Sequence, residues 1–169
     1  MKKIIILNGR GGVGKDTFVD FCASYCYVRH ISSITPIKEI AKNIGWEGAK
    51  TERDRKFLSD LKDLLTDYSD VSMKYIAKEV TRFQLDKTIP SASILFIDIR
   101  EPYEIDRAKE EFNAITVLIK NRNVPLITTN HADYEAENYN YDIVIKNDGS
   151  FDELKETAKQ FMERMRVEL

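Results

Sequence analysis

The sequence predicts an α/β fold with three layers, in which helices cover both faces of a parallel five-stranded sheet. Short apolar runs alternate along the chain with longer segments whose apolar residues recur every three or four positions. Residues 4–7 and 94–97 are apolar throughout, which is typical of strands buried on both faces. Strands that alternate with helices in this way form parallel sheets, so a ligand is expected at their carboxyl ends.

The composition indicates a globular chain with one domain over 1–169. Its 169 residues are 43% hydrophobic and 32% charged, enough to bury a sizeable core. A net charge of −2 gives no electrostatic reason to expect a nucleic-acid or membrane partner. Neither a signal peptide nor a long apolar span is visible, so we expect a cytoplasmic protein. The oligomeric state stays open, a homodimer included.

A glycine-rich loop follows the first predicted strand directly. It reads Asn-Gly-Arg-Gly-Gly-Val-Gly-Lys, and Gly9, Gly14 and Lys15 match the G-x-x-x-x-G-K spacing of a phosphate-binding P-loop, or Walker A motif. Glycines, here also Gly11 and Gly12, let such a loop turn its N–H groups inward on an anion. The next helix adds its positive N-terminus, and Lys15 can bridge the outer phosphates of a nucleotide.

The residue after the lysine departs from the usual motif. Most such loops place Ser or Thr there to bind Mg²⁺, whereas this chain has Asp16, with Thr17 one place later. A carboxylate binds a hard cation at least as well as a hydroxyl, and the helix N-terminus stabilises its charge. We therefore expect Asp16 to help hold Mg²⁺ and Thr17 to lie beside it. The loop itself leaves open whether a nucleotide is hydrolysed, transferred or only held.

Two cysteines, Cys22 and Cys26, lie one turn apart on the apolar stripe of the first helix. A metal site would need His30 and His131, the only histidines, as further ligands, so we interpret the cysteines as core residues. The next strand, 30–34, is only half apolar and is expected at an edge of the sheet.

Helical patterns fill the stretch between the second and third strands. Residues 35–90 thus form an insertion large enough to build a substrate pocket. Thr35 is expected to cap its first helix with Pro36 at the first helical position, and Thr51 to open the second. Arg53 belongs to a charged face of that second helix, most of which we interpret as exposed to solvent.

The apolar run 94–97 ends in Asp98, with Arg100 two residues beyond. At the carboxyl end of a central strand, Asp98 would lie beside the P-loop, where it can hold Mg²⁺ or its water. The alternative is that Asp98 caps the helix predicted to follow. Arg100 has the planar head group that suits a bidentate contact with phosphate.

The last part of the chain supplies a final helix and two more strands, at 115–119 and 141–145. Between these strands the residues are polar and irregular, and 121–139 could form a short lid or a surface loop. Ser150 and Glu153 have the spacing of a capping box and predict where the final helix begins.

Several of these segments resemble the phage-type deoxynucleoside monophosphate kinases. The Gly-Lys-Asp-Thr of the P-loop is similar to theirs, and Asp-Ile-Arg-Glu-Pro-Tyr-Glu at 98–104 is similar to their Asp-Val-Arg-Phe-Pro-Asn-Glu. Weaker likenesses cover 35–41 and the final strand and turn at 141–154. The acceptor base is not predicted, because Glu101 replaces an apolar residue of the family pattern.

The resemblance implies nucleotide metabolism, with ATP as the phosphoryl donor, Mg²⁺ as the cofactor and a nucleoside monophosphate as the acceptor. Lys15 and the loop amides would bind ATP, and the turn that contains Asn147 and Gly149 would pack against adenine. Its partners would therefore be a nucleotide donor and a small phosphorylated acceptor.

On the acceptor side, the resemblance implies that Arg100 grips the phosphate of the monophosphate. Lys38 and Arg53 of the helical insertion would assist. Arg122, which precedes the predicted lid, would neutralise charge in the transition state when the lid closes.

Two other interpretations remain open. One is a kinase of another phosphorylated metabolite, since animal-type phosphomevalonate kinases carry a similar Gly-Lys-Asp and dephospho-coenzyme A kinases share the sheet and loop. The other is a non-catalytic ATP-binding module, in which Asp16 marks a degenerate P-loop.

Overall fold

A computed structural model describes residues 1–125 and 137–167. Its sheet has five strands in the order β2-β3-β1-β4-β5, and every neighbouring pair is parallel. The strands are β1 Lys3–Asn8, β2 Tyr27–Ser32, β3 Ser93–Asp98, β4 Ile115–Lys120 and β5 Ile143–Lys146. The predicted parallel five-stranded sheet is confirmed. The second strand lies at its edge as expected, but it spans Tyr27–Ser32 and not 30–34, because residues 33 and 34 already turn into α2.

Helices cover both faces of this sheet. They are α1 Lys15–Ala23, α2 Thr35–Asn43, α3 Glu52–Ser69, α4 Val71–Leu85, α5 Pro102–Phe112 and α6 Phe151–Val167. Neighbouring strand residues point to opposite faces, so Ile4 and Ile6 pack with α4 and α5, whereas Ile5 and Leu7 pack with α1 and α6. The resulting three layers match the predicted fold class.

The parallel register brings the carboxyl ends of three strands to one place. Asp98 of β3 is paired with Leu7 of β1 on one side and with Ser32 of β2 on the other. Consequently the loops that follow these strands share one edge of the sheet, beside the N-terminus of α1. Phe18 fixes α1 there, since its ring lies 5.3 Å from the ring of Phe161 in α6 and is fully buried.

Helix starts follow the predicted caps in two of three places. The Thr51 hydroxyl accepts from the N–H of Asp54 at the start of α3, and Ser150 exchanges hydrogen bonds with Glu153 at the start of α6. The prediction for α2 was wrong by one residue, because Thr35 is already helical and Ile34 takes the N-cap position without a side-chain cap.

The predicted fifth strand began two residues too early. The Asp142 carboxylate accepts hydrogen bonds from both the N–H and the hydroxyl of Thr116, each 2.9 Å long, and the Asp142 N–H donates to that hydroxyl. These side-chain bonds take the place of a backbone ladder, so β5 starts only at Ile143.

The remaining predictions concern the cysteines and the lid. Cys22 is buried in the core on the α1 face and burial raises the pKa of its thiol to about 12. Cys26 was wrongly assigned to the first helix, since α1 ends at Ala23, and it is half-buried against the same core. Most of the predicted lid at 121–139 lies outside the described residues. Among the helices of 1–125 and 137–167, none combines the length and apolar character needed to cross a bilayer.

Candidate active site

Two glycines of the 9–14 loop have backbones that no other residue fits. Gly9 has a φ of +147° and Gly14 a φ of +95°. A Cβ on Gly9 would lie 2.5 Å from the backbone oxygen of Ile119, and one on Gly14 would lie 2.5 Å from Nδ2 of Asn147. These glycines therefore let the loop pass close to β4 and to the turn after β5.

The N-terminus of α1 is open to an anion. Gly14 is the N-cap of this helix, and no side chain caps it. The Lys15 ammonium folds back over the loop and donates to the carbonyl oxygens of Gly9, at 2.7 Å, and of Arg10, at 3.2 Å. Uncapped N–H groups, the helix dipole and a lysine at the loop mouth together could hold a phosphate group.

A cleft of about 520 Å³ begins at this loop and extends toward the helical insertion. Its walls come from the P-loop, the carboxyl ends of β1, β2 and β3, and helices α2 and α3. The charged side chains and the aromatic ring that line it are Lys15, Asp16, Lys38, Trp46, Lys50, Arg55, Lys62, Asp98, Arg100 and Glu101. Gly11 and Gly12 line its P-loop end.

Cations line the part of the cleft formed by α2, the segment before α3, α3 itself and the loop after β3. Burial and the neighbouring charges of Lys50 and Arg100 lower the pKa of Lys38, which shows that these cations repel one another. Arg55 joins them from α3, where its Nε donates to the backbone oxygen of Lys50 at 3.3 Å. A bound anion would relieve this repulsion, so the cluster formed by Lys38, Lys50, Arg55 and Arg100 could hold a second anion.

A buried ionic group supports the wall between these cations and α5. Lys62, only 5% exposed, forms ion pairs with Glu101 and with Glu104, the latter at 2.8 Å. Burial raises the pKa of the fully enclosed Glu104 to about 7. Burial acts in the same direction on Glu101, yet the Lys62 ammonium outweighs it and lowers the pKa of that carboxyl. Lys62 and Glu101 thus present a fixed pair of opposite charges to the cleft.

Two carboxylates lie where the metal was predicted. Asp98 ends β3 inside the cleft, and Asp16 follows Lys15 on the first turn of α1. The Oδ1 atom of Asp98 is buried without a hydrogen-bond partner in the described part of the chain. Because Mg²⁺ takes carboxylate oxygens and phosphates as ligands, these residues fit it. Asp98 does not cap α5, whose N-cap is Glu101.

A histidine accompanies this carboxylate pair. Nε2 of His30 lies 3.2 Å from Oδ1 of Asp98, and its Nδ1 lies 4.0 Å from Oδ1 of Asp16. Contact with the Asp98 carboxylate raises the pKa of His30, against the opposing effect of burial.

Some residues singled out from the sequence lie outside the cleft. Arg53 is exposed on the other side of α3, and Thr17 sits on the first turn of α1 without lining the cleft. Nε of Arg122 lies 2.8 Å from Asp148 and the Arg122 side chain is 85% exposed. Asn147 donates from Nδ2 to the backbone oxygen of Val13 at 2.9 Å, and so ties the turn after β5 to the P-loop.

Gly149 belongs to that same turn, and a side chain there would have to displace only the flexible end of Glu153. A Cβ there would meet Oε2 of Glu153 at 1.8 Å, where Glu153 folds back to cap α6.

Several residues of the cleft were not predicted from the sequence. Arg55, Ser59 and Lys62 recur at helical spacing along α3 and face the cleft, but their polarity led us to assign this face to solvent. His30 was considered only as a partner for the cysteines, and Trp46 only as part of a break between helices. The helical spacing of Arg55, Ser59 and Lys62 along α3 was the one signal in the sequence that could have indicated a shared face.

No family model and no curated protein matches the chain. Two solved structures are similar over nearly the whole length. A suspected kinase from Chloroflexus aurantiacus J-10-fl superposes with a TM-score of 0.53 at 12% identity, covering 96% of this chain and 97% of that one. Shikimate kinase from Aquifex aeolicus VF5 gives a TM-score of 0.47 at 16% identity, over 97% and 98%. With its glycine loop and strand order, the chain has the three-layer α/β fold of P-loop kinases.

Proposed function

We propose that this protein transfers the γ-phosphoryl group of ATP to a nucleoside monophosphate. The observation that carries the proposal is one cleft lined both by the P-loop and by the cluster of Lys38, Lys50, Arg55 and Arg100. Phosphoryl transfer needs two phosphates held in line with their charge neutralised, and this layout supplies both requirements.

The donor half of the reaction belongs to the P-loop. Its amides and the Lys15 ammonium bind the outer phosphates, and an anion there would compete with the loop carbonyls that now accept from Lys15. Asp16 and Asp98 would hold Mg²⁺, which supplies charge neutralisation between the two phosphates when bound. Asn147 keeps the turn after β5 against the loop, which supports the proposal that this turn packs against adenine.

The acceptor half belongs to the cation cluster. Arg100 follows β3 directly and can grip the phosphate through two N–H groups, while Lys38 and Arg55 add charge from the helices. Arg53 is left out of this set because it is exposed on the far side of α3. We place Arg122 with the donor loop, since Asp148 binds it there.

Two features favour a nucleoside over an aliphatic acceptor. The half-buried ring of Trp46 lines the cleft, and its Nε1 is fixed by donation to the backbone oxygen of Ala49 at 3.2 Å. A planar base stacks well on such a ring. The Lys62–Glu101 pair offers a base edge both a donor and an acceptor, which an isoprenoid chain could not use.

An acceptor screen tests the proposal. Purified protein would be incubated with ATP and Mg²⁺ and with each common ribo- and deoxyribonucleoside monophosphate, phosphomevalonate or dephospho-coenzyme A, with ADP formation as the readout. We expect at least one monophosphate to become a diphosphate, with no turnover in Lys15→Ala. Turnover of phosphomevalonate or dephospho-coenzyme A alone would overturn the nucleoside assignment. ATP binding without any transfer would indicate a non-catalytic module.

A further inference from the structure

Three side chains from three elements converge beside the P-loop, and the proposed function leaves one of them, His30, unused. His30 pairs with Phe96 in the register of β2 and β3, so both side chains lie on the sheet face that α1 covers. Asp98 is two residues beyond Phe96 and shares that face, and Asp16 approaches from α1. One potential ligand atom from each of the three lies within 4.8 Å of the others.

The closest two atoms are spaced as neighbouring ligands of one ion. Nε2 of His30 and Oδ1 of Asp98 are 3.2 Å apart. Both are shielded from solvent, and neither meets hydrogen-bond geometry with a group in the described ranges. Ligands that bind a divalent ion at about 2.1 Å in adjacent positions lie about 3 Å apart. An ion could therefore bind both atoms with little movement of either strand.

The third residue has the freedom to complete such a site. The Asp16 side chain is 89% exposed, and its Oδ1 lies 4.0 Å from the His30 ring. A side chain in that position can rotate toward the other two without disturbing the core. The donor set would then be one imidazole nitrogen and two carboxylate oxygens.

We propose that His30 is a metal ligand, and that it gives this site a preference for divalent ions that accept nitrogen, such as Mn²⁺, Co²⁺ and Zn²⁺, over Mg²⁺. Carboxylates and water suit Mg²⁺, whereas an imidazole ligand favours later first-row ions. The inference rests on the proposed function in one respect, namely that the bound ion would serve a nucleotide on the P-loop. The binding itself needs no nucleotide.

A Co²⁺ titration of the nucleotide-free protein tests this directly, with the visible absorption of bound Co²⁺ as the readout. Wild type should bind Co²⁺ more tightly than Mg²⁺, measured by competition. His30→Asn should weaken Co²⁺ binding by about tenfold or more while changing Mg²⁺ binding far less. The matched control is His131→Asn, which removes the other histidine of the chain and should bind Co²⁺ like wild type.

Equal Co²⁺ affinity in wild type and His30→Asn would overturn the proposal and make His30 only an ion-pair partner of Asp98. If His30→Asn lost affinity for Co²⁺ and Mg²⁺ equally, the proposed preference for ions that accept nitrogen would be overturned. If His30→Asn unfolds, electron spin-echo spectra of Mn²⁺ bound to the wild-type protein provide the test instead. Nitrogen modulation in these spectra would support ligation by the imidazole, and a spectrum without nitrogen modulation would contradict it. If the protein binds Co²⁺ through His30 but transfers no phosphoryl group, the proposed function is contradicted and the metal-ligand proposal is not.

Discussion

The two ends of the cleft are built in different ways. At the donor end, the anion site comes from consecutive residues of one loop and one helix, and much of it is backbone. At the acceptor end, the cations come from separate places along the chain: α2, the segment before α3, α3 itself and the loop after β3. Lys38, Lys50, Arg55 and Arg100 meet only because the helical insertion packs beside the sheet.

This difference predicts how each end should tolerate substitution. At the proposed donor end one side chain, Lys15, adds charge to a site whose backbone amides an alanine substitution leaves in place. At the acceptor end several cations share one anion, so the loss of a single cation should cost less, except where its geometry is special. The variants below test that contrast, from the largest expected effect to the smallest.

Lys15→Ala should have the largest effect. Phosphoryl transfer should fall by roughly a hundredfold or more, since the ammonium is directed at charge that develops during transfer. The thermal unfolding midpoint should barely change, because the ammonium donates to the loop carbonyls of Gly9 and Arg10, contacts that a bound nucleotide would displace. Steady-state kinetics and a melting curve check both. Turnover that matches wild type would contradict the P-loop assignment.

Arg100 should be the most sensitive residue of the acceptor end. Arg100→Ala should raise the acceptor KM by about tenfold to a hundredfold, and Arg100→Lys should be nearly as harmful because the bidentate contact is lost. ATP affinity, measured by calorimetry, should remain close to wild type in both variants. If ATP affinity collapsed while acceptor binding held, Arg100 would belong to the donor end.

Arg55 and Arg53 form a matched pair on α3. Both changes to Ala remove one positive charge from the same helix, but only Arg55 lines the cleft. Arg55→Ala should raise the acceptor KM by about tenfold or less, since a typical hydrogen bond contributes about 1 kcal/mol and the other cations would still share the anion. Arg53→Ala should leave it unchanged. Equal effects would mean that general charge near the cleft, and not the orientation of α3, attracts the acceptor.

Glu104→Gln should change stability more than activity, and its effect should depend on pH. The pKa of Glu104 is about 7 in the folded chain against an ordinary 4.5, so folding takes up a proton between these values. Wild type therefore loses stability as pH rises through this window, whereas the glutamine variant does not.

We expect the melting temperature of Glu104→Gln relative to wild type to rise by a few degrees, ~2–6 °C, between about pH 5 and pH 8. Melting curves at several pH values check this. The titration of Glu101 does not contribute to this difference, because the pKa of its carboxyl is lowered from the ordinary value and so lies below the pH range in which Glu104 titrates. A difference that stays constant with pH would show that Glu104 is ionised throughout.

The sheet was predictable because its signals are local. Continuous apolar runs such as 94–97 identify buried strands, and the half-apolar run 30–34 identified an edge. The start of β5 was not predictable, since it depends on Asp142 bonding Thr116, which is 26 residues away along the chain. A strand boundary that depends on long-range side-chain hydrogen bonds cannot be recognised from the local hydrophobic periodicity.

The candidate site likewise has one part that local sequence signals predict and another that depends on packing. The spacing of Gly9, Gly14 and Lys15 was sufficient to predict the phosphate loop. By contrast, Arg53 and Arg55 differ by two positions, which turns their side chains by roughly 200° around the helix. Only the packing of α3 decides which one reaches the cleft, so the sequence pointed to Arg53 where the structure brings in Arg55.

Binding of a bisubstrate analogue tests the central claim most directly, because that claim is that both anion sites serve one reaction. In such an analogue two nucleosides are joined by five phosphates. Calorimetry should show that wild type binds it at least about tenfold more tightly than ATP, and that Lys15→Ala and Arg100→Ala each remove most of this gain. An analogue that binds no better than ATP, or that ignores Arg100→Ala, would contradict the account.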